Sequence, residues 1–265
     1  MAPPRVWLAR LLIPAAAFFA SATAAHAASG VSSNWSGYVV TRKASATRFT
    51  KVHGSWVVPQ GVCTAGQRGY SATWVGLGGY TRGTDALEQT GTDFDCSASG
   101  SPIYYAWYEL VPAASHNIAM TVNPGDQIDA AVTVRSRRVT LFLRNVTRGA
   151  TFRRTFTMTS PGPDTTSAEW IVEAPSQCGP GRCLQLPLSN FGTIPLASAS
   201  TTTAGGTTGT ISDPRWNQTA LILRASERFP SRFTGSETGL GALPSPLSPD
   251  GTAFSVTATA AATAS

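Results

Sequence analysis

The feature that most restricts the fold of this chain is a succession of short segments rich in β-branched and aromatic residues, each ended by a turn. Ten such segments follow one another: NWSGYVVT, FTKVHGSWVVP, YSATWVGLGG, IYYAWYELV, QIDAAVTVR, VTLFLRNVT, TFRRTFTMT, AEWIVEA, TALILRA and TAFSVTATA. Gly, Pro, Asn and Asp separate them, as in NPGD (123–126) and SPGPD (160–164). No segment keeps an apolar stripe at helical spacing over three turns. Strands at this near-regular spacing predict an all-β fold, an antiparallel sandwich or barrel.

The beginning of the chain has the features of a secretory signal peptide. Arg5 and Arg10 precede the apolar stretch LLIPAAAFFA, and the segment closes on AHA (25–27), a small-x-small cleavage pattern. The apolar run is short for a membrane span, and nothing similar follows it in the sequence. We therefore expect residues 1–27 to be removed and residues 28–265 to form a secreted, extracellular protein without a membrane anchor.

Two stretches of biased composition lie late in the chain. ASASTTTAGGTTGTISD (197–213) is of low complexity and predicts an exposed loop. The Pro-rich ALPSPLSPD (242–250) leads into the last predicted strand. No linker divides the chain and no internal repeat is present, so the expected mature chain is interpreted as one domain.

The chain is poor in charge, and its net charge is positive. Charged residues make up 13% of the sequence, and the formal charge of +6 falls to about +4 when Arg5 and Arg10 leave with the signal peptide. Only RSRR (135–138) and RR (153–154) cluster, and no basic stripe is interleaved with aromatic residues. Nucleic-acid binding is therefore not expected, and these arginines are better interpreted as solvated strand faces.

Four cysteines in a chain that is expected to be exported predict disulfides. Cys178 and Cys183 enclose the turn GPGR, so we expect a local bridge between them, which leaves Cys63 to pair with Cys96. A zinc site built from all four cysteines is the alternative. It lacks the C-x-x-C pairs typical of structural zinc, and the compartment is oxidising, so disulfides are favoured.

The sequence offers few side chains for nucleophilic or metal-assisted catalysis. The expected mature chain has two histidines, His53 and His116, and neither lies in a local signature such as G-x-S-x-G. Both are better explained as surface or capping residues, with His116 in a loop. No H-E-x-x-H motif is present and acidic clusters are few, so no metal or other cofactor is expected. If the cysteines are oxidised, carboxylates and amides remain as the candidate catalytic groups.

Two carboxylates interrupt the apolar segment SAEWIVEAP, which covers residues 167–175. Its Trp-Ile-Val centre and the turn residues on both sides predict a strand. On a strand Glu169 and Glu173 lie on one face roughly 13 Å apart, so they cannot act as a catalytic pair with each other. Whichever glutamate is catalytic needs a partner from another segment.

Three further segments carry polar or aromatic residues that suit a cleft. Trp107 and Glu109 share one face of the strand IYYAWYELV. Gln89 and Asp93 share one face of ALEQTGTDFDC, in which the Thr-Gly after Gln89 predicts a bend. Trp74 precedes a glycine-rich run that lets backbone come close to a ligand. Each residue alone also has a structural explanation, core packing for a Trp and structural pairing for a lone Glu.

Five motifs taken together change this interpretation. SSNWSGY, ATWVGLGG, EQTGTD, YYAWYEL and AEWIVEAP resemble, in order and spacing, the motifs of the glutamic peptidases, the eqolisin family. The resemblance extends from about Asn34 to the final strand. It implies a single-domain sandwich of two curved antiparallel sheets, of the concanavalin or lectin type. It also implies a secreted endopeptidase that is active at acid pH and uses no metal.

The resemblance assigns roles to individual residues. The glutamine of the family's Q-T-G motif corresponds to Gln89, and its catalytic glutamate, the second of the A-E-(W/F)-I-x-E strand, corresponds to Glu173. Positions that line or support the cleft correspond to Trp35, Trp74, Asp93, Trp107, Glu109 and Glu169. One position departs from the pattern, because fungal members carry Asp where this chain has Gly78. We expect this departure to affect substrate preference and the hydrogen bonds around the site more than the catalytic pair itself.

The mechanism implied by the resemblance has few parts. Glu173, as a carboxylate, takes a proton from a bound water that attacks the peptide carbonyl, and later returns it to the leaving amine. The Gln89 amide holds that water and donates a hydrogen bond to the developing oxyanion. Because carboxyl groups titrate near about 4, activity at acid pH is expected. Proteins and peptides are the expected partners, and a monomer is expected.

Two other functions agree with the same residues. A secreted β-sandwich with few charges, in a sequence with seven tryptophans of which six follow the signal peptide, is also typical of a carbohydrate-binding module, which requires exposed tryptophans on one concave face. A glycosidase requires two carboxylates about 5–10 Å apart across a cleft, and Glu109 with Glu173 would meet that requirement. The peptidase instead requires Gln89 to lie close to Glu173.

Overall fold

The computed structural model describes residues 28–45, 47–83, 86–179, 182–224 and 240–259. In these ranges the chain forms eighteen β-strands and no α-helix. The strands are β1 Ala28–Ser32, β2 Trp35–Arg42, β3 Phe49–Val57, β4 Ala72–Gly78, β5 Leu87–Cys96, β6 Pro102–Val111, β7 His116–Ile118, β8 Gln127–Arg135, β9 Arg138–Asn145, β10 Ala150–Thr157, β11 Ser167–Glu173, β12 Ser176–Gly179, β13 Arg182–Gln185, β14 Thr193–Thr203, β15 Thr208–Gly209, β16 Trp216–Leu223, β17 Gly241–Pro244 and β18 Phe254–Thr259. All ten predicted strands are confirmed. The predicted signal peptide lies outside the described residues and stays a prediction.

Sixteen of the strands form one continuous sheet that curves until its two halves face each other. The order is β10-β9-β8-β3-β14-β18-β17-β16-β2-β11-β4-β5-β6-β7, with β1 beside β16 and β15 beside β14. Neighbours are antiparallel, except for the parallel pair of β1 and β16. A separate hairpin joins β12 to β13. The predicted antiparallel sandwich is confirmed, and its two layers are parts of a single curved sheet.

The main core lies between the layer of β3, β8 and β9 and the layer of β11, β4 and β5. Strand alternation points Trp56 and Trp170, with their aliphatic neighbours, into this space, where both are almost fully buried. Each indole N–H finds an acceptor in the opposite layer, Thr92 Oγ1 for Trp56 at 2.9 Å and the His53 carbonyl for Trp170 at 2.7 Å. The core therefore fixes how the two layers sit on each other, and leaves the outer face of β11, β4 and β5 for other residues.

The predicted bend after Gln89 is wrong. Strand β5 continues without interruption from Leu87 to Cys96. Gly91 is required there by close packing, because a Cβ at this position would lie 2.2 Å from the Thr73 carbonyl oxygen and 2.7 Å from the Trp74 Cβ. A glycine in mid-strand therefore marks a close approach of neighbouring atoms, and the side chains of β5 keep their alternation past it.

The predicted exposed loop at 197–213 is also wrong, since most of it belongs to the hairpin of β14 and β15. Its threonines bond across strands, as between Thr202 Oγ1 and Thr208 Oγ1 at 2.9 Å. Threonine is β-branched, so a composition that resembles low complexity also favours a strand. His116, expected in a loop, begins the short strand β7 and stacks on Tyr108 with ring centroids 5.2 Å apart.

Cys63 and Cys96 form the predicted disulfide, which ties the segment after β3 to the end of β5. In the β12–β13 hairpin the backbone register places Cys178 directly opposite Cys183. The side chains of these two residues lie outside the described part of the structure, so their bridge stays a prediction. Over the same described ranges, no helix has the length and apolar character needed to cross a membrane.

Candidate active site

Four neighbouring strands, β11, β4, β5 and β6, bring the predicted site residues to one face of the sheet. Residues that are paired across antiparallel strands point to the same side, so each row of the register shares a face. Read from β11 to β6, the three rows are Glu169, Gly76, Gln89 and Glu109; Ile171, Trp74, Gly91 and Trp107; and Glu173, Ala72, Asp93 and Tyr105. Trp35 of β2 pairs with Glu173 and extends the third row. We call these rows the site face, and it holds all eight predicted site residues.

Glu173 ends β11, and its carboxyl group is surrounded by nitrogen donors. Asn34 Nδ2 donates to Oε1 at 3.0 Å, and Trp74 Nε1 donates to Oε2 at 2.9 Å. Although the residue is partly accessible, its carboxyl is enclosed, and this burial raises the pKa of Glu173 to about 7. The hydrogen-bond donors oppose the rise only in part. The carboxyl therefore titrates near neutrality, well above the value of about 4 that was expected from the sequence.

Gln89 is almost fully buried, and its amide forms a hydrogen bond with one neighbouring strand only, among the described residues. Nε2 donates to Glu109 Oε2 at 2.6 Å, whereas Oε1 accepts no hydrogen bond from the described residues. An amide nitrogen carries two hydrogens, so one N–H is left to donate. Burial raises the pKa of Glu109, and the hydrogen bond from Gln89 lowers it in part.

Gln89 and Glu173 share the site face, but Gln89 lies in its first row and Glu173 in its third, and β4 lies between their strands. Both are described residues, and no direct hydrogen bond joins them. Glu109 connects the two electrostatically, since it binds the Gln89 amide and its charge also contributes to the raised pKa of Glu173. Glu109 therefore interacts with both predicted catalytic groups, and the close approach of Gln89 to Glu173 stays a prediction.

Asp93 lies across Ala72 from Glu173 in the same row. The Tyr105 hydroxyl donates to Asp93 Oδ2 at 2.6 Å and lies 3.1 Å from Asp95 Oδ2, so one hydroxyl serves two carboxyls. Burial, and then the charge of Asp95, raise the pKa of Asp93 well above its usual range. Burial also raises the pKa of Asp95 to about 6. Asp93 therefore keeps its proton at acid pH.

Tryptophans and aliphatic side chains fill the space around these carboxyls. Trp35 packs edge-on against Trp74 with ring centroids 5.1 Å apart, and both belong with Trp107, Ile171 and Leu221 to an apolar cluster distinct from the main core. The Trp107 indole forms no hydrogen bond of normal geometry with the described residues, yet it lies close enough to lower the pKa of Asp93. This cluster excludes water from the carboxyls, which is the physical cause of their raised pKa values.

Gly78, where the chain departs from the fungal pattern, faces a carboxylate that comes from another segment. A Cβ at Gly78 would lie 2.4 Å from the Asp164 Cβ, and the φ of +85° also favours glycine. Asp164 precedes β11, and its Oδ2 accepts from the Gly79 amide at 3.1 Å while Oδ1 accepts from the Thr166 amide at 2.9 Å. The loop that precedes β11 therefore places a carboxylate directly beside Gly78.

Asp164 also lies beside two buried glutamates. Its amide donates to Glu88 Oε1 at 3.2 Å. Burial raises the pKa of Glu88 to about 8, and it raises the pKa of Glu169 well above the usual range. The ion pairs of the described ranges, which involve Asp126, Asp129 and Asp213, all lie elsewhere. Within the described part of the chain, no cation therefore pairs with these acidic groups to stabilise their ionised forms.

Sequence reasoning missed four residues that shape this site: Asn34, Asp95, Tyr105 and Asp164. Asn34 and Tyr105 lie inside the motifs SSNWSGY and YYAWYEL, so their neighbourhood was a usable signal. Asp164 lies in a turn-forming stretch and gives no signal, because its role depends on how the loop packs against Gly78. Among the described residues, no group of three or more His, Cys, Asp or Glu side chains is arranged to hold a metal ion.

Comparison with known proteins gives a consistent result. The sequence model of the Peptidase A4 family matches residues 33–227. A crystal structure of scytalido-glutamic peptidase with a transition-state analogue inhibitor is similar at a TM-score of 0.64 and 25% identity, over 86% of this chain and 98% of that chain. SCP-B, an eqolisin bound to a tripeptide, is similar at a TM-score of 0.61 and 24% identity over the same shares. Aspergilloglutamic peptidase from Aspergillus niger is similar at 0.51 and 29% identity, over 72% of this chain and 99% of that chain. The comparison with curated protein sequences gave no match.

Proposed function

The chain belongs to the peptidase A4 family and is therefore a glutamic endopeptidase, and we propose that Glu173 and Gln89 form its catalytic dyad. The observation that carries the proposal is the enclosure of one titrating carboxyl among neutral donors. Glu173 accepts hydrogen bonds from Asn34 and Trp74. Gln89 lies on the same face of the sheet, and one of its two Nε2 hydrogens has no acceptor among the described residues. Proteins and peptides are the substrates of such an enzyme.

Glu173 is proposed to work in its protonated form. Its pKa of about 7 means that the free enzyme carries the proton throughout the acid range. A neutral carboxyl can act as acid and base in one step, because one oxygen donates its proton while the other accepts one. Each oxygen of Glu173 accepts one hydrogen bond from the protein and keeps a second lone pair for reacting groups.

The proposed reaction has two steps that balance in atoms and protons. In the first, water attacks the scissile carbonyl carbon, Glu173 takes a proton from that water, and its own proton goes to the carbonyl oxygen. The product is a neutral diol, and Glu173 is again protonated. In the second, Glu173 takes a proton from one diol hydroxyl and gives its own to the amide nitrogen, and the C–N bond breaks. A carboxylic acid and an amine leave.

Gln89 is proposed to stabilise the charge that develops on the carbonyl oxygen. Its second Nε2 hydrogen is free to donate, because the first is bound to Glu109. An amide suits this role because it does not ionise, whereas a second carboxyl would couple to Glu173 and shift its titration. Loss of one such donor typically lowers kcat by about 10²–10³-fold.

The alternative of a carbohydrate-binding module finds no support in the tryptophans. That function requires exposed rings on a concave face, but Trp74 is 0% exposed and Trp107 is 6% exposed, and Trp35 is only partly accessible. Stacking on a sugar requires an open ring face. The tryptophans of the site face are better explained as the apolar enclosure of the carboxyls.

Acid activity and secretion belong to the same proposal. If the protonated form of Glu173 is the active one, kcat/KM is highest at acid pH and falls as the pH rises through about 7. An oxidising, extracellular setting agrees with the disulfide between Cys63 and Cys96 and with the predicted signal peptide on residues 1–27.

The test is hydrolysis of a denatured protein substrate from acid to neutral pH, with pepstatin and a chelator present. Glu173→Gln and Gln89→Ala are expected to lower kcat by at least about 10²-fold. Glu88→Gln is the matched control, because this buried carboxyl adjoins Gln89 but points to the opposite face of the sheet. Full activity in either dyad variant, with its fold intact, would exclude the dyad. A rise of kcat/KM through pH 7 would show that Glu173 acts from its ionised form.

A further inference from the structure

The segment 32–34, where β1 leads into β2, lies directly beside the proposed catalytic carboxyl. Asn34 Nδ2 donates to Glu173 Oε1 at 3.0 Å. The backbone of Asn34 is fixed at the same place, because its carbonyl accepts at 2.8 Å from the amide of Ala174, the residue after Glu173. This backbone contact does not determine which end of the Asn34 side-chain amide faces Glu173, since the amide carries an oxygen on one side and a nitrogen on the other.

The two orientations of that amide have opposite effects on Glu173. With Nδ2 toward the carboxyl, Asn34 donates, and the proton of neutral Glu173 stays free to go to the substrate. With Oδ1 toward the carboxyl, Asn34 would accept that proton in a hydrogen bond and hold it in the ground state. The proposed reaction therefore needs the first orientation, which is the one in the structure.

The Ser32 hydroxyl distinguishes the two orientations. Its oxygen accepts from the backbone amides of Trp35 at 3.0 Å and of Asn34 at 3.3 Å. A hydroxyl oxygen has two lone pairs, so both are occupied and only the O–H remains to form a further bond. It donates to Asn34 Oδ1 over a long contact of 3.4 Å. A flipped amide would set its NH₂ group, which accepts no hydrogen bond, against this O–H.

We propose that Ser32 is a positioning residue for the reaction, its hydroxyl keeping Asn34 Oδ1 turned away from Glu173 so that Nδ2 donates to the catalytic carboxyl. This inference rests on the proposed role of Glu173. The Ser33 hydroxyl lies 3.5 Å from the same Oδ1, but it is exposed, and no hydrogen bond from the described residues occupies its lone pairs. Ser33 is thus able to accept from a flipped amide as well, and it favours neither orientation.

Ser32→Ala removes the donor while the backbone pairing of β1 stays in place. The ladder with β16 uses main-chain groups, and the Ser32 carbonyl keeps its bond from the Arg224 amide. We expect the flipped amide to gain population in this variant, because its oxygen bonds the proton of neutral Glu173. At acid pH kcat should then fall by about 2–10-fold, the factor that one neutral hydrogen bond sets, with little change in KM. The pH at which kcat/KM falls near neutrality should increase, since a bond to the protonated form raises the pKa of Glu173.

This combination of a lower kcat with a higher pH limit separates positioning from a structural role. A structural role, through the backbone amides that the hydroxyl accepts, would lower Tm and activity without raising that pH. Ser32→Thr keeps the hydroxyl and should retain kcat within about twofold of wild type. Ser33→Ala, the matched control for loss of a neighbouring hydroxyl, should leave both quantities unchanged. The charged groups that interact with Glu173 in the described structure, Glu109 on β6 and Asp93 on β5, are the same in all these variants.

A double-mutant cycle tests whether Ser32 acts through Asn34. Asn34→Ala removes the amide, so adding Ser32→Ala to it should change neither kcat nor the pH limit further. All variants are compared with wild type by pH-dependent kinetics on one peptide and by thermal unfolding.

The outcomes separate this inference from the proposed function. Additive effects of Ser32→Ala and Asn34→Ala overturn the positioning role, and so does a wild-type pH profile in Ser32→Ala. Either result leaves the catalytic role of Glu173 in place if Glu173→Gln is inactive. Full activity in Glu173→Gln, with its fold intact, removes the proposed function itself, whatever Ser32 does. A raised pH limit in Ser32→Ala that is absent from Ser32→Thr, from Ser33→Ala and from the Asn34→Ala background supports the role of Ser32.

Discussion

Asp126 and Glu169 are both almost fully buried acids, and their surroundings differ in nearly every respect. Asp126 Oδ2 accepts from Asn145 Nδ2 and Arg148 Nε at 2.7 Å each and from the Asn123 amide at 2.9 Å. Burial alone would raise the pKa of Asp126, but these donors outweigh it and hold the pKa below its usual value. Glu169 has no hydrogen bond of normal geometry in the described structure, and burial raises its pKa well above the usual range.

The difference teaches that burial sets the size of the electrostatic effect, whereas the partners decide its sign. Asp126 connects a turn to β9 and stabilises the fold as an ion. Glu169, like Asp93 on the same face, stays neutral and destabilises the fold whenever it is forced to ionise. The acids with raised pKa values lie close to the site face, where the proposed reaction needs one of them, Glu173, in its protonated form.

The largest expected consequence concerns the pH dependence of stability. Glu88, Glu173 and Asp95 have pKa values raised to about 8, about 7 and about 6, so the folded chain binds more protons than the unfolded chain between roughly pH 4 and 8. Their stabilising protonation is complete below the unfolded values and is lost as the pH rises through the folded values. We expect the free energy of unfolding to fall by on the order of 5 kcal/mol over this range, which lowers Tm by about 10–20 °C.

Thermal unfolding at a series of pH values tests this expectation. Below roughly pH 4 the trend reverses, because Asp126 and Asp213, whose pKa values are lowered, then lose the charges that their partners stabilise. The Tm is therefore expected to be highest near pH 4–5. A Tm that rises from there to pH 8 would mean that Glu88, Glu173 and Asp95 have partners that stabilise their ionised forms in the folded chain.

The next effect in size concerns Gly78 and the carboxylate that faces it. Gly78→Asp places a side chain where a Cβ would lie 2.4 Å from the Asp164 Cβ, on a backbone with positive φ, and adds a second carboxylate. We expect a loss of about 3–4 kcal/mol from overpacking and backbone strain. Combining it with Asp164→Gly frees the space, so the double variant should recover at least half of the loss. Additive losses, measured by denaturant unfolding, would show that the two positions do not share one site.

A direct comparison of the two buried acids gives a smaller effect. Asp126→Asn leaves the Asn145 amide and the Arg148 guanidinium with a weaker acceptor, and we expect it to destabilise the fold by about 2 kcal/mol. Glu169→Gln, the same chemical change, should alter stability by less than about 0.5 kcal/mol, because neither carboxyl oxygen forms a hydrogen bond of normal geometry in the described structure and Ser167 is the one neighbour there that lowers its pKa by hydrogen bonding. Equal losses in urea unfolding would remove the distinction between the two acids.

The sequence was sufficient for the strands, which follow from short-range patterns, and for the members of the site face, which follow from those patterns together with the family resemblance. Alternation alone placed Trp107 with Glu109 and Gln89 with Asp93, and the registers confirm both pairs. The apparent bend at Gly91 was misread because a glycine looks the same in a turn and under a neighbouring tryptophan. Only the position of Trp74 on the adjacent strand distinguishes the two cases.

The protonation states of the buried acids could not be predicted from the sequence alone. The pKa of Glu173 depends on burial by Trp35 and Trp74, which come from different strands, and on the donor Asn34. The relation of Asp164 to Gly78 joins a loop to a strand almost ninety positions away, and no local pattern records it. Local pattern predicts which face a side chain occupies, whereas the chemistry of that side chain depends on long-range packing.

The smallest effect we predict tests whether donors can shift an acid of the site face toward the behaviour of Asp126. Trp74 Nε1 donates to Glu173 Oε2 at 2.9 Å and lowers the pKa of Glu173, against the larger effect of burial. Trp74→Phe removes the donor and keeps an aromatic ring, so the pKa of Glu173 should rise further. The pH at which kcat/KM falls near neutrality should increase by about one unit, since a hydrogen bond to a charged group is worth about 1.5–3 kcal/mol.

Trp107→Phe is the matched control. Its indole forms no hydrogen bond of normal geometry within the described ranges, so this substitution should leave that pH unchanged. A downward movement in Trp74→Phe would mean that the indole stabilises the protonated form of Glu173 rather than its carboxylate.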